Sequence, residues 1–230
     1  MRQVILDLET TGLDSAQGHR IVEFAGLEMV HRVLTGANYH THVNPEREIE
    51  QEALLVHGIT TEFLATKPTF DKVAHQIVEF IHGAELIIHN AAFDIGFLNI
   101  ELKQLGMDPV EKICPNIIDT LQLAREMFPG KRNNLDALCD RFNIDRSDRT
   151  LHGAKKDCSL LAKIYLLLTR GQESLTMHVE AQGYLKAFSS ILKVDKSALV
   201  LHKATEAENA LHEAYLHQLG EKCLWRRYKE

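Results

Sequence analysis

The stretch Val4-Ile5-Leu6-Asp7-Leu8-Glu9-Thr10-Thr11-Gly12 decides how this chain folds. Its apolar β-formers predict a strand over Val4 to Leu8. Strand periodicity then points Asp7 and Glu9 to the same face. Two carboxylates held that close repel each other, and the arrangement is tolerable mainly when a cation sits between them. An isolated D-x-E is ordinarily an exposed strand end. Here Thr10, Thr11 and Gly12 extend the pair into D-x-E-T-T-G.

Outward from this strand, Ile21 to Val30 and Tyr39 to Val43 read as two more, antiparallel neighbours, with turn-like Thr35, Gly36 and Asn38 between them. Phe70, Val73, Ala74, Ile77, Val78 and Ile81 recur at helical spacing, and Glu85 to His89 after Gly83 reads as a buried strand. The alternation continues. Ile95, Leu98, Leu102 and Leu105 mark a helix closed by Gly106, Ile117 and Ile118 a short strand, and Leu135, Leu138, Cys139 and Phe142 another helix. Ala154, Cys158, Leu161, Tyr165 and Leu168 give the last long helix of an α/β core, ending near Gly171.

Beyond it Gln172 to Gly183 is polar and irregular, which places a boundary at about Arg170. The expected organisation is a domain over 1–170, a linker over 171–203 and a C-terminal segment over 204–230. In that segment Thr205 and Glu208 form a T-x-x-E capping box, opening a helix that runs to about Leu219.

At 230 residues, 45% apolar and 25% charged, the chain has material for one good core plus an appendage. Its start lacks a basic region followed by a long apolar run, so the expectation is a soluble protein with no targeting signal and no membrane partner. Four cysteines, far apart and without zinc-knuckle or redox spacing, suit a reducing cytoplasm. The net charge of −6 excludes a surface that grips phosphate backbones everywhere. Either nucleic acid is not the partner, or it is held at a local site with metal ions while another protein supplies most of the grip.

Two further elements carry acids. Asp94, in His89-Asn90-Ala91-Ala92-Phe93-Asp94, falls in the first turn of a helix after a buried strand, where a carboxylate also complements the helix dipole. In His152-Gly153-Ala154-Lys155-Lys156-Asp157 the histidine precedes the acid by five residues. On one regular helix those side chains would diverge by about 140°. They can share a site only if His152 lies on a loop ahead of the helix.

Asp7, Glu9, Asp94 and Asp157 with His152 resemble, in order and spacing, the DEDD exonucleases of the histidine-bearing type. Val56-His57-Gly58-Ile59, Ile88 to Phe97 and Phe128-Pro129-Gly130-Lys131-Arg132-Asn133 are similar to the proofreading members of that family, and so are Leu211-His212-Glu213-Ala214 and Cys223-Leu224-Trp225-Arg226. The resemblance implies a ribonuclease H-like mixed sheet flanked by helices. It implies 3′-to-5′ hydrolysis of a single-stranded DNA end with two divalent ions, Mg²⁺ or Mn²⁺. Asp7, Glu9, Asp94 and Asp157 would hold the metals, with His152 as proton acceptor. Thr10, Thr11, Glu52 and His57, beside Asp7, Glu9 and Asp157, would line the site for the terminal nucleotide. His89 and Phe93 are open between strand contact and packing. Lys155 and Lys156 replace an apolar pair common in relatives and read as solvated.

Two docking elements remain. Gln172, Leu175 and Met177 resemble a sliding-clamp motif, Q-x-x-L-x-F/M. Leu211, Ala214, Tyr215 and Leu219, followed by Leu224 and Trp225, form an apolar patch too small to fold alone, expected to bind the replicative polymerase's catalytic subunit with Trp225 as anchor. The competing readings are an RNA-trimming exonuclease of the same family and a non-catalytic module that keeps the fold. The long tail speaks against the first and the complete acid set against the second. His40 and His42 share a strand face but lack further ligands at zinc spacing, so they read as exposed strand residues.

Overall fold

Along β1 (Arg2–Thr10) the side chains alternate between two cores. Val4, Leu6 and Leu8 enter one of them with Phe70, Ile77, Phe97 and Leu98. Ile5 enters the other with Ala25, Ile87, Cys158 and Leu161. Asp7 and Glu9 share the second face by strand period, at the end where the apolar contacts stop. The computed structural model describes residues 1–147, 151–170 and 204–218. Gln172, Leu175, Met177 and Trp225 lie outside the described residues.

Five strands form one mixed sheet in the order β3-β2-β1-β4-β5. β2 (Ile21–Val30) and β3 (Val33–His42) run antiparallel beside β1. β4 (Glu85–Ile88) and β5 (Asn116–Asp119) run parallel to β1 on its other side. Between them come α1 (Gln51–His57), α2 (Thr61–Leu64), α3 (Phe70–Ile81), α4 (Ala91–Gln104) and α5 (Val110–Ile113). α6 (Thr120–Met127), α7 (Leu135–Arg141) and α8 (Ala154–Leu168) follow. α3 and α4 supply the core on one face. α8 covers the other and packs with α6 and α7 through Ala124, Leu138, Cys139, Leu160 and Ile164.

The hairpin between β2 and β3 differs from the expectation. It turns at His31 and Arg32, with φ of 50° and 63°, and Val30 pairs directly with Val33. Gly36, with φ 89°, instead sits where the register slips between Leu27 and Met29. Positive φ at non-glycine residues costs about 1–2 kcal/mol each. Arg32 offsets part of that cost by donating to Thr169 Oγ1 at 2.6 Å and Leu166 O at 3.0 Å, which ties the turn to the C-terminal end of α8.

The chain divides into two compact units, Met1–Ser174 and Leu175–Glu230. In the second, α9 (Glu206–Gln218) begins at the capping box: the Thr205 amide donates to Glu208 Oε2 at 2.8 Å, and the Glu208 amide to Thr205 Oγ1 at 3.3 Å. Among the described residues no helix is long and apolar enough to cross a membrane.

Candidate active site

β1 stops pairing with β4 after Ile5 and Ile87, and the strands diverge. The opening is where the acids collect. The Leu8 amide, beyond the last β1–β4 pair, donates to the Asp94 carboxylate from the first turn of α4. A register shift at Glu9 and Thr10 ends the β1–β2 ladder and re-aims the strand, a common device beside functional sites. Asp157, in the first turn of α8, comes in from the other face.

Glu9, Asp94 and Asp157 are buried. Burial pushes the Asp7 carboxyl well above the usual carboxylate range, and the charges of Asp94, Glu9, Asp157 and Glu23 push it the same way. Burial likewise raises Asp94 to about 8, against the pull of its own amide and that of Leu8. This cluster disfavours its own ionisation, and a bound cation would relieve it.

The structure resolves the spacing problem of His152 as expected. His152 lies on the loop before α8, its amide donating to Val56 O at 3.0 Å, and Leu151 packs against Gly58, where even a methyl group would meet it at 2.5 Å. From there His152 Nδ1 lies 3.3 Å from Asp157 Oδ2. Ligand atoms of Glu9, His152 and Asp157 all fall within 4.8 Å of one another. Hard carboxylate oxygens in this number match Mg²⁺ or Mn²⁺. The donor set therefore fits divalent ions.

Beside the acids opens a cavity of about 250 Å³, lined by Glu9, Thr10, Gly12, Leu13, Glu52, Val56, His57 and Phe93. His57 is held neutral by burial, which lowers its pKa, and both ring nitrogens are engaged. Nδ1 accepts from the Ile59 amide at 3.0 Å, leaving Nε2 to donate to Thr10 O at 3.3 Å. It can thus offer the cavity a ring edge and little hydrogen bonding. Glu52 is exposed at the rim.

Thr11 is displaced from its expected place on the cavity wall. Its hydroxyl accepts from the Arg20 amide and meets His19 Nδ1, each at 3.0 Å, because the chain folds back over it there. His19 continues to Glu50 at 3.2 Å, and Arg20 forms a bidentate pair with buried Glu101, both contacts 2.6 Å. This network fixes the loop carrying Gly12 and Leu13. No local motif announces it, since its members meet only after folding. His89 turns to Thr120 Oγ1 at 2.9 Å, a packing role, whereas Phe93 reaches the cavity. Lys155 and Lys156 are exposed.

Glu23 was also missed. It stands opposite Glu9 in the β1–β2 register, and its Oε2 accepts from the Ala154 amide at 3.0 Å, holding the start of α8. Burial acts to raise its pKa, but the His40 and Ala154 hydrogen bonds hold it below the usual range.

Residues 4–165 match the exonuclease family described as RNase T. The DNA polymerase III subunit epsilon of Escherichia coli K12 is 46% identical over 98% of this chain and 97% of its own length. The chain belongs to the exonuclease family, among the DNA polymerase III epsilon subunits. It is a 3′-to-5′ exonuclease of the proofreading kind. The same subunit of Rickettsia felis is 47% identical over 94% of this chain and 96% of its own. Among solved structures, the nuclease domain of 3′hExo, a DEDDh family member bound to rAMP, superposes with a TM-score of 0.63 at 18% identity, covering 74% of this chain and 92% of its own. Escherichia coli exonuclease I, in a zinc-bound complex with single-stranded DNA, gives 0.67 at 18% identity, over 81% of this chain and 44% of its own. These two likenesses bear on the fold alone, and they agree with the mixed five-stranded sheet.

Proposed function

We propose that this chain hydrolyses the terminal phosphodiester of an unpaired DNA 3′ end, releasing nucleoside monophosphates, in the service of a bacterial replicative polymerase in the cytoplasm. The convergence of Asp7, Glu9, Asp94 and Asp157 with His152 carries this reading. Asp7, Glu9 and Asp157 would ligate two Mg²⁺ or Mn²⁺ ions directly, and Asp94 through water. Two such ions supply an activated attacking water and charge relief for the leaving oxygen. His152 accepts the proton of the attacking water, a task suited to an imidazole. With Nδ1 turned to Asp157, that role falls to Nε2. Thr10, Gly12, His57 and Phe93 shape the cavity for the terminal nucleotide, Phe93 offering an aromatic surface to a base.

Selection of errors then needs no sequence reading. A mismatched end unpairs at less cost than a matched one, so a cavity that admits only single strands removes mismatches preferentially. With a net charge of −6, intrinsic DNA affinity is low. Attachment to the polymerase through the C-terminal segment, and to a sliding clamp through Gln172, Leu175 and Met177, raises the effective concentration of the end.

The test is digestion of a 3′-mismatched primer, with single-stranded RNA of the same sequence in parallel. Activity with Mg²⁺ or Mn²⁺, lost in chelator and in Asp7→Ala, is the expected result. Preference for the RNA would assign the site to RNA trimming instead.

A further inference from the structure

Outside the carboxylate cluster, one other group of metal-ligating side chains comes together among the described residues. In the β2–β3 register Glu23 stands opposite His42 and Ala25 opposite His40. Strand period puts His40 and His42 on one face, and cross-strand pairing puts Glu23 on that same face. Ligand atoms of all three lie within 4.8 Å of one another.

A hydrogen bond accounts for only part of this arrangement. His40 Nε2 lies 2.6 Å from Glu23 Oε1, an ordinary charge-assisted contact. His42 presents its own Nε2 to the same oxygen at 3.6 Å, beyond hydrogen-bond reach. The ring is nevertheless held in place: its edge contacts are His40, at 5.1 Å between centroids, and Phe63, at 4.9 Å and 89°. Around a tetrahedral zinc ion with bonds near 2.0–2.1 Å, neighbouring ligand atoms stand about 3.3–3.5 Å apart. The His42 spacing is already close to that value, and the His40 contact needs to open by less than about 1 Å. The two histidine side chains are about a quarter exposed, at 28% and 25%, leaving an approach from solvent and room for a fourth ligand.

We propose that Glu23, His40 and His42 form a binding site for a zinc-class transition-metal ion, separate from the Mg²⁺ or Mn²⁺ centre. Two imidazoles and one carboxylate favour Zn²⁺ or Co²⁺ over the harder ions that an all-oxygen set prefers. The site borders the catalytic one through a single residue. Glu23 would ligate through Oε1 while Oε2 keeps the Ala154 amide, three residues before Asp157 and two after His152. An ion there would fasten the edge of the sheet to the start of α8. It does not depend on the nuclease reading, because no residue is shared with the proposed catalytic set.

The experiment is equilibrium dialysis of the full chain against Zn²⁺ in excess Mg²⁺, with Co²⁺ absorption to report imidazole ligation. It is run on the natural protein and on Asp7→Asn with Asp157→Asn, which disables the carboxylate centre. About one tight equivalent should persist in the double variant and weaken by at least about tenfold when His42→Ala or His40→Ala is added, since losing a ligand should cost no less than the roughly 10- to 100-fold lost with a hydrogen-bond partner of a ligand. His42→Gln, which keeps shape and polarity, guards against misfolding: a folded His42→Gln protein should also lose the ion. His42→Ala alone should leave Mg²⁺-dependent digestion unchanged. Zinc binding that vanishes with the carboxylates, or that survives both histidine changes, overturns the proposal, as does the absence of any tight equivalent.

Discussion

His152 Nδ1 and Asp157 Oδ2 lie 3.3 Å apart although five residues, more than a turn of helix, separate them in sequence. The meeting is possible because the chain is not helical until Ala154, and because the His152 amide is pinned to Val56 on α1. The imidazole is therefore placed by the backbone of its loop, and its side chain is 44% exposed. His152→Ala should lower turnover on a mismatched primer by about 10²- to 10⁴-fold while leaving the melting temperature unchanged. Full activity with Mg²⁺ in this variant would remove the histidine from the reaction.

Asp94 gives a dependence on pH. Its carboxyl is raised to about 8 from an ordinary 3.8, chiefly by burial. A group raised on folding contributes stability that is complete below its unfolded pKa and is lost as pH climbs through the folded value. In chelator, the protein should therefore lose thermal stability between about pH 4 and pH 8. Asp94→Asn cannot ionise, so it should flatten that decline and melt several degrees higher than the natural protein near pH 8. The same change should cost activity. Identical melting profiles for the two proteins in chelator would show that the buried charge is compensated some other way.

Gly12 tests the loop network. A methyl group there would stand 2.4 Å from His19 Cε1 and 2.7 Å from Glu50 Oε2. Glu50 can swing aside, but His19 is 5% exposed and held by Thr11, so it has nowhere to move. Gly12→Ala should destabilise by about 1–3 kcal/mol in urea unfolding, the usual cost of overpacking. It should also raise KM for the DNA end, since Gly12 lines the cavity. An unaltered unfolding midpoint would mean that His19 is looser than its contacts imply.

What could be read in advance follows the range of the interaction. Asp7 and Glu9 could be placed together because two residues of one strand share a face whatever surrounds them. Asp94 and Asp157 could be placed at helix starts, but that they join the pair was implied only by the resemblance of the three motifs to the exonuclease family. The β2–β3 turn was not, because His31 and Arg32 carry no turn preference and are held by Arg32 bonding to α8, far along the chain. α6 escaped notice because its start depends on the Asp119 carboxylate accepting from the Leu121 and Gln122 amides, a cap that follows directly on the Ile117-Ile118 pair read as strand. Glu23 beside His40 and His42, like Thr11 beside His19, rests on register or loop closure, which no window of sequence contains.

The three apolar cores of the first unit use residues between Val4 and Leu168, so removing everything after Arg170 leaves them whole. That truncation should keep the rate on single-stranded DNA ends within about twofold, because surface changes away from a core cost little. It should abolish association with the polymerase. On α9 Leu211 and Tyr215 are 72% and 59% exposed, an apolar pair four residues apart on one side of the helix. Such a pair on an exposed helix suits insertion into a partner's groove. Leu211→Ala and Trp225→Ala in the full chain should each weaken polymerase binding by about tenfold or more, measured by surface capture, with nuclease activity unchanged. Loss of nuclease activity in the truncated protein would mean instead that the segment stabilises the nuclease itself.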